Sequence, residues 1–279
     1  MSKAPAVLLL ALAAHAQSLD IYSEFQRVDP FGAVISPDRG VGRREILSPA
    51  VARNGFASFH IVVSVPAKES YLLYVATNPL DACRVALYRE HFVQTKKGWI
   101  PDTLFELDHL PDFGTMPDPD DHIADQTTRV YLLDLWIPPD APVGRFRLEV
   151  QLKVADWIVR PLEIRVLETR IPTMLGAKPF DSGLPPIDRG ADAPPIDALM
   201  RYFTSKPPVP PAQPRTVGAI LYRNAIQDMT LAASLPPPVA GPPALMNRAL
   251  DLLRQNYSLS PRVFGAEWYL RLRDFLYNR

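Results

Sequence analysis

Strict alternation of apolar and polar residues is the feature that most constrains the fold of this chain. In the stretch RFRLEVQLKV, every second residue is apolar: Phe146, Leu148, Val150, Leu152 and Val154. The residues between them are charged or polar. Because successive side chains of a β-strand point to opposite faces, the pattern predicts a strand with one buried and one solvated face.

Other stretches before residue 172 show the same period. FHIVVSV places four apolar residues on one face, namely Phe59, Ile61, Val63 and Val65. PLEIRVLE does the same with Leu162, Ile164 and Val166. Pro161 has no N–H to donate, so we expect it at a strand start or a sheet edge. YLLYVA and RVYLLDLWI are denser in apolar residues, which predicts more deeply buried strands.

Helical periodicity is nearly absent between about Asp20 and Pro172, and turn residues separate the short strands. This combination predicts an all-β fold, a two-sheet antiparallel β-sandwich of immunoglobulin-like type. Between two of its strands, Pro138 and Pro139 should end the first one. Pro142 and Gly144 then fit the second and fourth positions of a type I turn.

The chain divides into three predicted parts. Residues 1–16 read as a signal peptide, with Lys3, an apolar run and a small-residue cleavage site, so we expect a periplasmic or extracellular protein without a transmembrane segment in the mature chain. Residues 17–172 form the sandwich domain. Residues 173–279 hold 16 of the 31 prolines and read as stiff linkers with short helices, such as 242–256 and 263–279.

Charge and cysteine content narrow the possible partners. Lysine plus arginine equals aspartate plus glutamate at 30 each, which argues against nucleic acid as a partner. Cys83 is the single cysteine, so it cannot form a disulfide within the chain. Its apolar neighbourhood predicts a small buried hydrophobe. The oligomeric state is left open by the sequence.

Sequence motifs for known chemistries are missing. The chain has no HExxH, CxxC, GxSxG or Walker glycine pattern. We therefore assign no catalytic residue and no resident cofactor. One alternative is a hydrolytic site around His109, where paired carboxylates could act on a glycosidic bond if they were suitably spaced. Its carboxylates would be Glu106, Asp108 and Asp112.

An acidic cluster and two tryptophans are the candidate binding residues. The stretch MPDPDDHIAD offers carboxylates that could hold calcium, namely Asp118, Asp120, Asp121 and Asp125. It lacks the glycine and glutamate of an EF-hand, so a solvated loop is the alternative. Trp99 and Trp157 could stack on sugar rings, whereas the alternative for both is packing within the fold.

Four stretches in a fixed order carry a family resemblance. They are ARNGFASFHIVV (52–63), GWIPDTLFEL (98–107), LWIPPDAPVGRFRLEVQL (135–152) and PLEIRVLETRIP (161–172). Together they resemble the N-terminal β-sandwich domain of glycoside hydrolase family 123 and related bacterial exported proteins. Gly55 departs from the acidic residue expected there. The catalytic barrel that the family implies is also missing from the residues after 172.

Four interpretations follow from the residues and the resemblance. The first is an exported, non-catalytic sandwich that binds a glycan or a partner protein as the accessory domain of a glycosidase would. The second is a truncated or divergent hydrolase without its barrel. The third is a hydrolase using the 106–112 loop, and the fourth is an immunoglobulin-like adhesion module.

Overall fold

The computed structural model describes residues 17–36, 48–96 and 98–171, together with the helical positions Val217, Ile220, Asn224 and Gln227. Across the three ranges the regular structure is entirely β, which confirms the predicted class for this part. No helix among the described residues is long and apolar enough to cross a membrane. The signal peptide at 1–16 and the helices predicted at 242–256 and 263–279 lie outside the described residues.

Twelve strands make up the described part of the chain, and they are numbered in chain order. They are β1 (Ser18–Ser23), β2 (Arg27–Val28), β3 (Val34–Ser36), β4 (Ala50–Arg53), β5 (Phe56–Ser64), β6 (Ser70–Asn78), β7 (Arg84–Thr95), β8 (Gly98–Glu106), β9 (Asp112–Thr115), β10 (Thr128–Trp136), β11 (Gly144–Lys153) and β12 (Trp157–Arg170).

These strands form two five-stranded sheets and a two-stranded ribbon of β2 and β3. The first sheet has the order β1-β5-β10-β7-β8, and all its pairs are antiparallel. The second has the order β4-β12-β11-β6-β9. There β4 runs parallel to β12, so the prediction of purely antiparallel sheets is wrong for this sheet. A parallel pair requires a long connection, and β4 and β12 are indeed far apart in the chain.

One hydrophobic cluster contains buried side chains of both sheets. The predicted inward faces of β5, β11 and β12 all belong to it, which confirms the alternation in these strands. Arg165, where pairing of β12 with β4 begins, follows Pro161 by several residues. Among the described strands, Pro161 therefore lies where β12 is paired on one side only, with β11, as its missing N–H predicts.

Strand β10 is buried along its whole length, as its dense apolar sequence predicts. Tyr131, Leu133 and Leu135 face the shared cluster, while Val130 packs in a second cluster on the other face. The same prediction is wrong for β6, because Tyr71 and Leu73 are buried whereas Tyr74 is exposed. A dense apolar run in a strand therefore does not by itself predict burial on both faces.

The connection from β10 to β11 carries the chain from the first sheet to the second. Pro138 and Pro139 follow the end of β10, as predicted. The amide of Ala141 donates to the carbonyl of Pro138 at 3.1 Å, so the hydrogen-bonded turn spans 138–141. The turn predicted to end at Gly144 is thus placed three residues too late. Pro139, instead of Pro142, takes the second position, which suits its fixed φ.

The helical positions after residue 216 pack against the first sheet. All four are buried, and their spacing places them on one face of a helix. Gln227 exchanges two hydrogen bonds with the backbone of Phe56, at 2.6 Å from its N–H and 3.2 Å to its carbonyl. Pairing of β1 with β5 stops at Phe59, so this side-chain amide takes the place of a strand at the open edge of β5.

Gly55 fits the same crowded corner. A Cβ atom there would lie 2.8 Å from the carbonyl oxygen of Ala52 and 3.4 Å from Nε2 of Gln227. The glycine that departs from the resembled family pattern therefore leaves room for the carbonyl group of Ala52 in this chain.

Cys83 is buried, as predicted, and burial raises the pKa of its thiol to about 12. We expect Cys83 in the native protein to react with a disulfide reagent at pH 8 far more slowly than in the unfolded chain. The unfolded chain should consume one equivalent of reagent, because it has a single thiol. Because an unfolded thiol ionises near pH 9.0, the free energy of unfolding should fall as the pH rises above that value, and Cys83→Ala should lessen the fall. Equal labelling rates in native and unfolded protein would contradict this.

Candidate functional site

The four aspartates of the predicted calcium loop do not converge. Asp118 is buried and its carboxylate pairs with Arg129, while Asp121 accepts a contact from Nδ1 of His91 at 2.7 Å. Asp120 and Asp125 are exposed. The carboxylates of Asp118 and Asp121 are therefore buried against side chains of the fold, and those of Asp120 and Asp125 face solvent.

Gln126 holds this loop together from within. Its Oε1 accepts from the amide of Asp118 at 2.8 Å, and its Nε2 donates to Oδ2 of Asp121 at 2.8 Å. In the described part of the chain, no group of three or more His, Cys, Asp or Glu side chains is arranged to hold a metal ion. The predicted calcium site is thus not seen as a ligand cluster, and the loop instead contacts His91 of β7 and forms an ion pair with Arg129 of β10.

A buried polar network joins the two sheets beside this loop. The hydroxyl of Tyr131 on β10 donates to Oδ2 of Asp112 on β9 at 2.7 Å. The same hydroxyl lies 2.7 Å from that of Tyr71 on β6. Arg89 on β7 donates from Nε to Oδ2 of Asp112 at 3.1 Å and from Nη2 to the carbonyl of Phe113 at 3.0 Å. Strands of both sheets are therefore linked through one carboxylate.

The electrostatics of this network favour a structural role. Burial raises the pKa of Tyr131 well above its ordinary value, and burial likewise raises the pKa of Tyr71. Both phenols therefore stay protonated near neutral pH and act as hydrogen-bond donors. A nucleophilic tyrosine would need the opposite shift and access to a substrate.

Gly114 makes the position of Tyr71 possible. The two residues are cross-strand partners on β9 and β6, and a Cβ atom on Gly114 would lie 2.4 Å from the hydroxyl oxygen of Tyr71. The absence of a side chain thus lets the phenol ring lie flat against β9 and reach Tyr131.

The alternative catalytic loop is also dispersed. Asp112 is buried in the network, whereas Glu106, Asp108 and His109 are exposed. Asp112 therefore differs from the other three groups in its access to solvent.

Trp99 and Trp157 lie on different sheets. Trp99, on β8, is partly buried and packs against the cluster of Val28, Val62, Phe92, Ile123 and Val130. Trp157 begins β12, and 54% of its surface is exposed. The structure therefore leaves Trp157 open to solvent and does not bring the two tryptophans together.

Trp157 belongs to a row of side chains that crosses four strands of the second sheet. In this row Phe113 on β9 pairs with Leu72 on β6, Leu72 with Lys153 on β11, and Lys153 with Trp157. The next row on the same face contains Tyr74, Gln151 and Val159. We call the apolar members of the two rows the aromatic strip: Phe113, Leu72, Tyr74, Trp157 and Val159.

Four members of the aromatic strip are exposed to solvent, and Leu72 between them is partly buried. Phe113 is 66% exposed and Tyr74 is 37% exposed. Three interstrand spacings separate the Cα atoms of Phe113 and Trp157, which amounts to about 14 Å. The ammonium of Lys153 lies 5.8 Å from the centre of the Trp157 ring. The strip is therefore a shallow, sheet-backed surface of aromatic and apolar side chains with polar groups between them.

Only Trp157 of the strip was singled out from the sequence. In YLLYVA, Tyr71 and Tyr74 lie on opposite faces of the strand. Because both faces are apolar in sequence, the pattern does not indicate which face is solvated. Phe113 lies on a four-residue strand, too short for a periodic signal. Their meeting depends on pairing between strands that are distant in the chain.

Comparisons with known proteins find similarity at the level of fold alone. No protein-family model and no curated protein sequence matches this chain. One similar solved structure is a family 123 glycoside hydrolase from Clostridium perfringens, analysed for glycolipid glycan hydrolysis. The identity is 9%, the TM-score is 0.39, and the match covers 56% of this chain and 28% of that one. The chain therefore spans less than a third of that enzyme.

A second similar structure is a PapD-like domain of human CEP192, at 8% identity and a TM-score of 0.26, covering 61% of this chain and 99% of that domain. A third is an MSP family member from C. elegans, at 7% identity and a TM-score of 0.24, covering 43% and 92% of the two chains. All three similarities are distant, and they concern β-rich domains.

Replacing the carboxylate that links the sheets should destabilise the protein. We expect Asp112→Asn to lower the free energy of unfolding by about 2 kcal/mol, because Arg89 loses its ion pair and Tyr131 loses a charged acceptor. Urea unfolding followed by circular dichroism measures the change.

Asp108→Asn is the matched control, since this carboxylate is exposed on the neighbouring segment. Its effect should stay within about 0.5 kcal/mol. Equal stability of the two variants would contradict a structural role for the network.

Proposed function

We propose that the described strands form an immunoglobulin-like β-sandwich that acts as a non-catalytic, glycan-binding module. The two sheets would be its layers, with the shared hydrophobic cluster between them. The aromatic strip on the solvated face of the second sheet would be the binding surface. This strip is the observation that carries the proposal.

The exposure of the strip supports binding in preference to packing. Isolated apolar side chains are common on protein surfaces, but contiguous exposed apolar patches usually mark interaction sites. Here Phe113, Tyr74 and Trp157 lie in two adjacent rows with Lys153 and Gln151 between them, and each remains exposed. A regular sheet fixes their backbones, so little conformational entropy would be lost when a ligand binds.

Sugars suit this surface because each ring presents an apolar C–H face and a rim of hydroxyl groups. The aromatic rings would contact the C–H faces. Gln151 and Lys153, which lie in the same rows, would donate hydrogen bonds to hydroxyl oxygens. Both side chains sit between the aromatic groups, so stacking and hydrogen bonding could act on one chain of sugars.

The arrangement of carboxylates beside the aromatic strip favours binding over hydrolysis. The row beyond Tyr74 contains Ala76, Glu149 and Pro161. Glu149 is therefore the one acidic side chain in these three rows of described residues. Most glycoside hydrolases use a pair of carboxylates flanking the bond. The other carboxylate of this face, Glu163, lies in the next row and accepts hydrogen bonds from Ser48 and Arg145.

The proposal includes export of the protein, which rests on the signal-peptide pattern at 1–16. Periplasmic and extracellular glycans would then be the accessible ligands. Sequencing the N-terminus of protein recovered outside the cytoplasm would test this part. A mature chain that begins after Ala16 is expected, and recovery of the full chain in the cytoplasm alone would contradict it.

Truncating the strip should abolish glycan binding without unfolding the protein. On a glycan array, we expect Trp157→Ala to weaken binding by about tenfold, which is ~1.4 kcal/mol. The reason is that the substitution removes the exposed indole ring on which a sugar would stack. Tyr74→Ala and Phe113→Ala should weaken the same interactions. Circular dichroism would confirm that each variant is folded.

Phe105→Ala is the matched control, because Phe105 is 55% exposed but lies on β8 of the other sheet. Trp99→Ala tests whether the remaining tryptophan also contributes. Absence of binding to every glycan by the unaltered protein would refute the proposed function. Equal losses in Phe105→Ala and Trp157→Ala would place the binding surface elsewhere.

A further inference from the structure

The solvated face of the second sheet changes from aromatic to basic along its strands. Beyond Glu149, the next row contains Asn78, Arg147 and Glu163, and the last one pairs Arg145 with Arg165. The aromatic strip lies at the other end of the same strands. About 26 Å separates Lys153 from Arg145 along β11, so one extended ligand could contact both ends.

Positive charge is in excess on this face. Lys153, Arg145, Arg147 and Arg165 carry four positive charges, against two negative charges on Glu149 and Glu163. The chain as a whole has a net charge of zero. The excess is therefore a segregation of charge to this face, compensated by negative charge elsewhere in the molecule.

Both carboxylates on the face have partners within it. Glu163 accepts from the hydroxyl of Ser48 at 2.7 Å and from Nη1 of Arg145 at 3.0 Å. The hydrogen bond from Ser48 lowers the pKa of Glu163, so this carboxyl is ionised at neutral pH. Glu149 accepts from Nε2 of Gln151 at 3.2 Å. Arg147, which is exposed, and Lys153 flank Glu149 on the same strand face.

We propose that the module binds an acidic glycan, whose apolar ring faces lie on the aromatic strip and whose carboxylate or sulfate groups lie over Arg147 and its basic neighbours. This inference rests on the proposed function and specifies its ligand class. The planar guanidinium of an arginine can donate two parallel hydrogen bonds to either kind of acidic group. The aromatic strip would thus contact the sugar rings at one end of the face, and the basic side chains would pair with the acidic groups at the other.

Salt should separate the two contributions. Exposed charges are screened over about 10 Å at 0.1 M ionic strength, whereas contacts between apolar surfaces are little affected by salt. Binding of an acidic glycan should therefore weaken as salt is added, and binding of a neutral glycan should not.

Titration calorimetry of the full chain tests the inference with defined probes. Polygalacturonate and heparin supply carboxylate and sulfate groups, hydroxyethyl cellulose is the neutral glycan, and polyglutamate is an acidic polymer without sugars. At 50 mM salt we expect at least one acidic glycan to bind about tenfold more tightly than the neutral glycan. We expect polyglutamate to bind no more tightly than the neutral glycan.

Variants assign the effect to the face. Arg147→Gln should remove most of the preference for the acidic glycan, and Lys96→Gln, an exposed lysine in the turn after β7, is the charge-matched control. Trp157→Ala should weaken acidic and neutral glycans alike, because the strip contacts ring faces that both classes share.

Each contrary outcome has a distinct meaning. Equal, salt-independent binding of acidic and neutral glycans would overturn the inference and leave the proposed function intact. Polyglutamate binding as tightly as the acidic glycans would overturn it in favour of simple charge attraction. Binding of no glycan would refute the proposed function itself. If Trp157→Ala changed only the sedimentation coefficient of the protein, the face would be an interface between two copies.

Discussion

The hydrogen bond between Tyr131 and Asp112 is the interaction on which the arrangement of both sheets depends. It connects the central strand of the first sheet to an edge strand of the second, in the interior, where an unpaired carboxylate would be costly. Arg89 neutralises the carboxylate, and Gly114 allows Tyr71 to approach. Since neighbouring side chains on a strand point to opposite faces, anchoring Asp112 inward also directs Phe113 outward. The buried network thereby positions one end of the aromatic strip.

Burial decides which carboxylates are available for chemistry or binding. Asp112, Asp118 and Asp121 lie in acidic stretches that resemble ligand loops in the sequence, yet each is engaged with a cationic or hydrogen-bonding partner. Asp120 and Asp125, in the same stretch as Asp118 and Asp121, have side chains exposed to solvent. Acidic density in a sequence therefore predicts a loop, while the role of each carboxylate depends on the arginine or histidine that the fold places beside it.

Local patterns predicted the strands well, and pairing between distant strands could not be predicted. The alternation in 145–154 and the buried Cys83 follow from residues within one stretch. The parallel pairing of β4 with β12 and the meeting of Phe113, Tyr74 and Trp157 depend on contacts between segments far apart in the chain. Turn chemistry around Pro138–Gly144 was ambiguous, because two prolines each satisfied the preference for the second position.

The contact between Gln227 and Phe56 also has a consequence for how the chain matures. These residues are 171 positions apart, so the hydrogen bonds between Gln227 and Phe56 cannot form until residue 227 has been synthesised. Unpaired strand edges promote pairing with other chains. A ribosome-bound fragment ending soon after β12 would contain the twelve described strands and still lack these hydrogen bonds. The contact that covers this edge of β5 therefore forms only late in synthesis of the chain.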